Sequence, residues 1–304
     1  MEQEQLNDLL EKAVPAANAL SAKLGADVIF FNGDLHWTSS QAFLKACKAR
    51  KQKKPDALFV LVTSGGNPKA AYRMARCLQR SYTKFWIFVP GWCKSAGTLI
   101  ASGAHEIYMS DGAELGPLDI QLSKKDEVWT GRSGLVVDAA VRALEDVGER
   151  MFFHYLYEIK DQSSSVTYKT AAGIASDLVG RLLGPVFGQI DPAEVGENSR
   201  TMNITKEYAT RLDRHAKNFK SKEWLSYLVE SYPDHSFTID RAEASEIFVN
   251  VKAPSLEMEN LEQILGDLAV EPIDSDQLGA YEVRYLSEEP PGRLSVVESP
   301  GVAS

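Results

Sequence analysis

The chain has 304 residues, 44% apolar and 25% charged, which is ordinary globular composition and excludes wholesale disorder. At the usual ~150 residues per domain this allows one large α/β domain or two smaller ones. Lys and Arg number 33 against 42 Asp and Glu, a formal charge of −9, so general binding to nucleic acid or anionic lipid is disfavoured.

The basic run Lys48, Arg50, Lys51, Lys53, Lys54 reads as the solvated end of a helix. Met1 to Leu20 mixes charges with apolar residues and is not read as a signal peptide. No stretch approaches the ~18 apolar residues needed to span a bilayer. Cys47, Cys77 and Cys93 are odd in number with no CxxC pair, which suits a reducing compartment and neither a disulfide frame nor a zinc site. The expectation is a cytoplasmic protein without metal or organic cofactor.

Residues 3–24 carry apolar residues at helical spacing, interrupted by Pro15. The run 27–31 is a short strand closed by the turn Asn32-Gly33-Asp34, and 39–50 a helix capped by Ser39 or Ser40. The continuous apolar run 57–62 suits a strand buried on both faces. It stops at Thr63-Ser64-Gly65-Gly66-Asn67-Pro68, and a helix follows over 69–80. A second cycle places a strand at 85–89, a turn at 90–94 and a small-residue helix at 95–103. A third strand spans 106–109. Repeated strand–turn–helix units imply βαβ crossovers and a largely parallel sheet. Beyond Leu118 helices dominate: 135–160, 170–183 stopped by Gly184-Pro185, one or two over 203–230, and 241–247 after a short extended piece at 237–240. From about Asp274 the chain is acidic, with Pro290-Pro291-Gly292, and a loosely held tail is expected.

Two strand-to-helix turns are the informative places, because sites of open α/β sheets lie beyond the carboxyl ends of strands. Gly65-Gly66 lets backbone amides approach a ligand closely, and amides before a helix form an anion or oxyanion pocket; taken alone, the pair is explained more simply by a tight turn that needs glycine. Ser95 opens a helix, where a hydroxyl meets the positive dipole end, or where serine simply caps. It is no hydrolase elbow, since Cys93 stands where G-x-S-x-G needs glycine.

Taken together, Thr63–Pro68, Lys94-Ser95-Ala96-Gly97-Thr98-Leu99-Ile100-Ala101 and Glu114-Leu115-Gly116-Pro117-Leu118-Asp119-Ile120-Gln121 resemble the Clp protease/crotonase superfamily. Within it the chain is most similar to the serine dehydrogenase proteinase family, relatives of signal peptide peptidase A. Thr167–Ala172, Gln189–Pro192 and Tyr232–His235 extend the likeness over roughly 26–252. The resemblance implies Clp/crotonase-like repeated ββα units with a helical C-terminal extension. It divides the chain into an N-terminal helical segment (1–25), a serine protease domain (26–252) and an acidic, partly flexible extension (253–304). It implies that Ser95 is the nucleophile, that the Gly66 and Ala96 amides form the oxyanion hole, and that the protein is a homo-oligomer, trimer-based or ring-like, acting on peptide or protein substrates.

The general base departs from the Clp pattern, which places a histidine in the segment matching Leu115–Gln121. Here Asp119 stands near that place, orienting a partner or capping a turn. His105 falls at a strand start, His154 on a long helix, and His36, His215 and His235 are remote in sequence. A Ser-Lys dyad, as in signal peptide peptidase relatives, is preferred, with Lys169 first and Lys124 and Lys125 next; the lysine must be desolvated to accept the serine proton. Lys94 adjoins Ser95 and should point elsewhere. Trp86 and Trp92 flank the second turn and line either a groove or the core. Two other functions compete with a peptidase: a crotonase-like acyl-CoA enzyme using the same amide pair, and a non-catalytic oligomeric scaffold of this fold.

Overall fold

The computed structural model describes residues 3–118, 121–123, 131–162, 165–234, 236–273 and 281–287. Contacts divide the chain into one unit of residues 1–118 with 204–304, and a second of 119–203.

The first unit opens with α1 (Gln3–Leu24), β1 (Ala26–Gly33), α2 (Trp37–Ala49), β2 (Asp56–Val62), α3 (Pro68–Ser81) and β3 (Lys84–Val89). It continues with β4 (Trp92–Cys93), α4 (Ala96–Ala101), β5 (Glu106–Met109) and β6 (Glu114–Leu115). The second unit holds the antiparallel pair β7 (Gln121–Ser123) and β8 (Gly131–Ser133), then α5 (Gly134–Gln162) and α6 (Tyr168–Phe187); α7 (Pro192–Ala216) starts in it and ends in the first. The first unit closes with α8 (Lys222–Glu230), α9 (Arg241–Ile247), β9 (Val251–Lys252), α10 (Leu256–Leu265), α11 (Asp267–Val270) and β10 (Tyr281–Tyr285). The result is mixed α/β with a mostly parallel central sheet, as expected.

Six strands pair in the order β10-β1-β2-β3-β5-β9, parallel except where β10 runs against β1, with Ile29 opposite Tyr285. The register between β1 and β2 runs from Ala26–Asp56 to Asn32–Val62. Both faces of β1, β2 and β3 are covered, which is why these strands are largely apolar without alternation. Val28, Phe30, Leu58, Val60, Val62 and Phe88 face one layer, built from α1, α10 and α11. On the other face Phe59 meets Phe31 and Phe43 of α2, with ring centroids 6.4 and 5.2 Å apart.

Several elements depart from expectation. Pro15 lies inside a continuous α1, and α6 runs through Gly184-Pro185 to Phe187; Pro185 falls in the last turn, where little helix remains to break. The cap of α2 is His36, not Ser39 or Ser40; the Ser39 hydroxyl reaches back from the third helical position and accepts the His36 N–H at 2.8 Å. The chain after 274 is not all loose tail, because β10 returns to the sheet edge and Leu286 and Ser287 also donate to the Val28 carbonyl.

Candidate active site

Parallel topology brings the ends of β1, β2 and β3 to one edge of the sheet. The turn after β2 is fixed from three sides. Leu35 N–H donates to the Gly65 carbonyl at 2.8 Å, and Asn67 N–H to the Leu35 carbonyl at 2.7 Å. Within the turn, the buried Thr63 hydroxyl accepts the Gly65 N–H at 3.0 Å. Asn67 caps α3 by accepting from Lys69 N–H, and Pro68 takes the first helical position, where its missing N–H costs nothing.

Glycine is required twice here. Gly65 and Gly66 sit at φ +116° and +125°. A Cβ on Gly65 would lie 2.9 Å from Ser95 Cβ, 3.1 Å from the Lys94 carbonyl oxygen and 3.4 Å from Ala96 N; one on Gly66 would lie 2.6 Å from the Leu35 carbonyl oxygen. The first turn therefore abuts the second directly.

The second turn is held to β2 by Thr63 N–H on the Trp92 carbonyl (2.8 Å) and Lys94 N–H on the Thr63 carbonyl (3.0 Å). At its tip Ser95 adopts φ +49°, ψ −112°, a region costly for a residue with a Cβ. Its hydroxyl makes no cap bond to α4, so helix capping does not explain a serine here. Neither the Gly66 N–H nor the Ala96 N–H donates to an acceptor among the described residues, although Ala96 is buried. Two peptide donors are thus uncommitted in the abutting turns, the second of which carries the half-buried Ser95.

A third segment closes the cluster. Thr98, fully buried, donates to the Gly116 carbonyl at 2.7 Å and accepts its N–H at 3.1 Å, so α4 anchors the strand-like piece around β6. Lys94 reaches away along Gly116: its ammonium pairs with Glu114 and bonds Thr238 at 3.1 Å. Against the effect of burial, Lys94 and Thr238 hold the Glu114 carboxyl below its ordinary range. Burial pushes the Cys93 thiol well up, leaving it an inert wall under Gly97. Trp92 is 40% exposed, while Trp86 packs partly into the core.

Beside the first turn, Asp34 accepts from the Ser64 hydroxyl and lies 3.7 Å from His36 Nε2. Burial works to raise the Asp34 carboxyl, but the His36 and Ser64 contacts bring it below its usual value; Asp34 in turn raises His36. Sequence reading did not single out Thr63, Thr98 or Asp34; a hydroxyl flanking each glycine turn and the Asn-Gly-Asp turn were the available signals.

Lys169 is an exposed residue in the first turn of α6, in the second unit, where the Thr167 hydroxyl caps the helix by accepting Thr170 N–H at 3.2 Å. Asp119, Lys124, Lys125 and His235 lie outside the described residues. His105 precedes β5, at the opposite edge of the sheet, with its ring edge-on to His215 at 5.4 Å; burial lowers its pKa. His154 is exposed on α5. Among the described residues no three His, Cys, Asp or Glu side chains converge as metal ligands.

The family model of ClpP-like SDH-type serine proteinases matches residues 28–129, which include both turns and the Glu114–Gln121 segment. Two uncharacterized proteins of Methanocaldococcus jannaschii are similar. One is 38% identical over 85 residues, 28% of this chain and 29% of that protein; the other is 26% identical over 132 residues, 40% and 43% respectively. The chain thus matches less than half the length of either. Among solved structures, a mutant of the 1510-N membrane-bound stomatin-specific protease aligns with 78% of this chain and 81% of its own, at 14% identity and a TM-score of 0.44. Over residues 28–129, then, the chain matches the ClpP-like SDH-type serine proteinase family, the family its glycine and serine turns resemble.

Proposed function

We propose that residues 26–252, buttressed by the flanking helices, act as a serine peptidase through an acyl-enzyme on Ser95. The observation that carries this reading is the abutment of the two turns. Glycine at 65 lets Ser95 Cβ and Ala96 N lie against the loop that presents the Gly66 N–H, while both peptide donors lack acceptors among the described residues. In the proposed reaction the Ser95 oxygen attacks a peptide carbonyl and its proton passes to a neutral amine. The carbonyl oxygen, now an anion, takes hydrogen bonds from Gly66 and Ala96, each such donor being worth ~3 kcal/mol in the transition state. The amine returns the proton to the leaving nitrogen, and water then releases the acyl group.

Lys169 is the amine we assign first, and Asp119 its orienting partner. Lys169 is exposed in the single chain, so accepting a proton near neutral pH requires a second surface to take it out of water. That requirement joins the second part of the proposal, a homo-oligomer, trimer-based or ring-like. Support comes from α6, which exposes Ile174, Leu178, Leu182 and Val186 at four-residue spacing, and from α5, which exposes Phe153 and Tyr157. Such a run of large apolar side chains marks an interaction face. Among the described residues no helix is long and apolar enough to cross a membrane, and we place the protein in the cytoplasm.

A fluorophosphonate probe tests the nucleophile. Ser95 is expected to be labelled in the native protein and labelling to vanish in Ser95→Ala; a folded protein that takes no label at any pH overturns the reading. Lys169→Ala is expected to abolish labelling with the fold intact, and undiminished labelling sinks that assignment.

A further inference from the structure

Cys47 and Cys77 are thirty residues apart in a chain with no CxxC motif, yet the fold places them together. Cys47 lies near the end of α2, 1% exposed; Cys77 lies near the end of α3, half-buried. The two helices pack side by side, and both run back from the candidate active-site edge toward the opposite edge of the sheet. At ~1.5 Å per residue, the ten residues from Trp37 to Cys47 put this pair ~15 Å along α2 from the turns that hold Ser95. Nothing in the peptidase reading uses it.

The surroundings divide the labour between the two sulfurs. Cys77 has Ser81 Oγ 4.0 Å from its sulfur, with Lys53 and Arg80 as neighbouring cations. Cys47 faces Cys77 and Tyr285; the Tyr285 hydroxyl meets that of Tyr82 at 2.9 Å, which donates to Asp27 at 3.0 Å. The contact with Cys47, helped by Ser81 and the two cations, brings the Cys77 thiol down to about 7 against its own burial, whereas Cys77 and burial push Cys47 well up. A thiol that is partly ionised and reachable from solvent attacks; a buried protonated one at its side resolves.

We propose that Cys77 and Cys47 form a redox-active dithiol that takes a hydroperoxide as its oxidant, with Cys77 as the attacking sulfur and Cys47 as the resolving one. The Cys77 thiolate attacks one peroxide oxygen; an S–O bond forms, the O–O bond breaks, and the leaving hydroxide or alkoxide takes a proton from water. Cys77 is then a sulfenic acid. The Cys47 sulfur attacks the Cys77 sulfur, the S–O bond breaks, and the departing hydroxide takes the Cys47 proton to leave as water. Two thiols are oxidised by two electrons, one peroxide is reduced, and the disulfide ties α2 to α3. The third thiol, Cys93, is buried beneath the Ser95 turn and stays reduced.

The test is hydrogen peroxide, one equivalent on the full native chain at neutral pH, followed by alkylation and peptide mapping. The wild type is expected to lose two thiols, to yield a peptide pair joining Cys47 to Cys77 within one chain, and to recover both on dithiothreitol. Cys47→Ser is expected to accumulate a Cys77 sulfenic acid trapped by dimedone, and Cys77→Ser to leave Cys47 as a thiol. Retention of both thiols in the wild type, over-oxidation of Cys77 with Cys47 untouched, or a bond between two chains would overturn the proposal. Mapping of the wild type decides it even if a variant fails to fold, and it is independent of whether Ser95 takes a fluorophosphonate.

Discussion

The two edges of the central sheet treat their polar groups in opposite ways. At the edge where β1 begins, Asp27 is fully buried, and its carboxylate is met by Arg50 at 2.8 Å and the Tyr82 hydroxyl at 3.0 Å. Arg50, 7% exposed, also donates to the Ser287 carbonyl and lies 4.9 Å over the Tyr285 ring. Charges are spent there on joining β10 to the rest of the sheet. At the other edge the backbone takes positive φ at Gly65, Gly66 and Ser95, and two peptide donors have no acceptor among the described residues. Strain and uncommitted donors lower stability, and they persist where surrounding structure holds them for a ligand. One edge is built to hold; the other, on the function proposed for it, to bind.

Breaking the first edge should have the largest effect on stability. Arg50→Ala leaves a buried carboxylate without its cation and is expected to cost about 3–5 kcal/mol, read from denaturant unfolding; a loss below ~1 kcal/mol would mean that this edge is not where stability is concentrated. The binding edge should respond less in stability and more in chemistry. Gly65→Ala adds a strained φ and a Cβ crowded by Ser95 and Lys94, each worth ~1–3 kcal/mol, about 3 kcal/mol together. Labelling of Ser95 should disappear with it. A variant as stable as the parent that still takes the probe would show that the turns do not abut as described.

The difference between the edges was only half legible in the sequence. The strands at 27–31, 57–62 and 85–89 were readable because a sheet covered on both faces demands nearly unbroken apolar runs, and the two turns were readable because glycine and a helix-opening serine are local signals. β10 was not: Tyr281–Tyr285 pairs with a strand some 250 residues earlier, and its partners Asp27, Arg50 and Tyr82 are ordinary polar residues until the fold collects them. The dithiol is hidden for the same reason, since α2 and α3 bring Cys47 and Cys77 together without any spacing motif. Asp34 and Thr98 were legible only as members of a turn and of a motif, because their roles are set by what they touch, Ser64 and Gly116, across 30 and 18 residues.

Thr98→Val sharpens the comparison at smaller scale. Valine fills the same space but leaves the Gly116 N–H and carbonyl unpaired in a buried place, a loss of about 1.5 kcal/mol, within the ~1–3 kcal/mol for such groups. If that hydroxyl serves the binding edge, probe labelling should fall by more than the stability loss predicts; a proportional fall would make Thr98 a packing residue only.

The smallest effect should come from Asp34 and His36, a charged pair beside the Gly65 turn. Asp34 is held below its ordinary 3.8 and His36 above its ordinary 6.5. The carboxylate's contribution is complete above its unfolded value and is lost as pH falls through its lowered folded value. The imidazolium's is complete below 6.5 and is lost as pH rises through its raised folded value. Both are present together only between about pH 4 and 6.5, and with His36 42% exposed solvent screening limits the pair to a few tenths of a kcal/mol. The stability difference between wild type and Asp34→Asn should therefore peak in that window and shrink on either side. A flat difference would mean that the pair braces Ser64 without stabilising the fold, which is the extreme form of the contrast with Asp27 and Arg50: the same two charge types, buried as a permanent clamp at one edge and left half in water at the other.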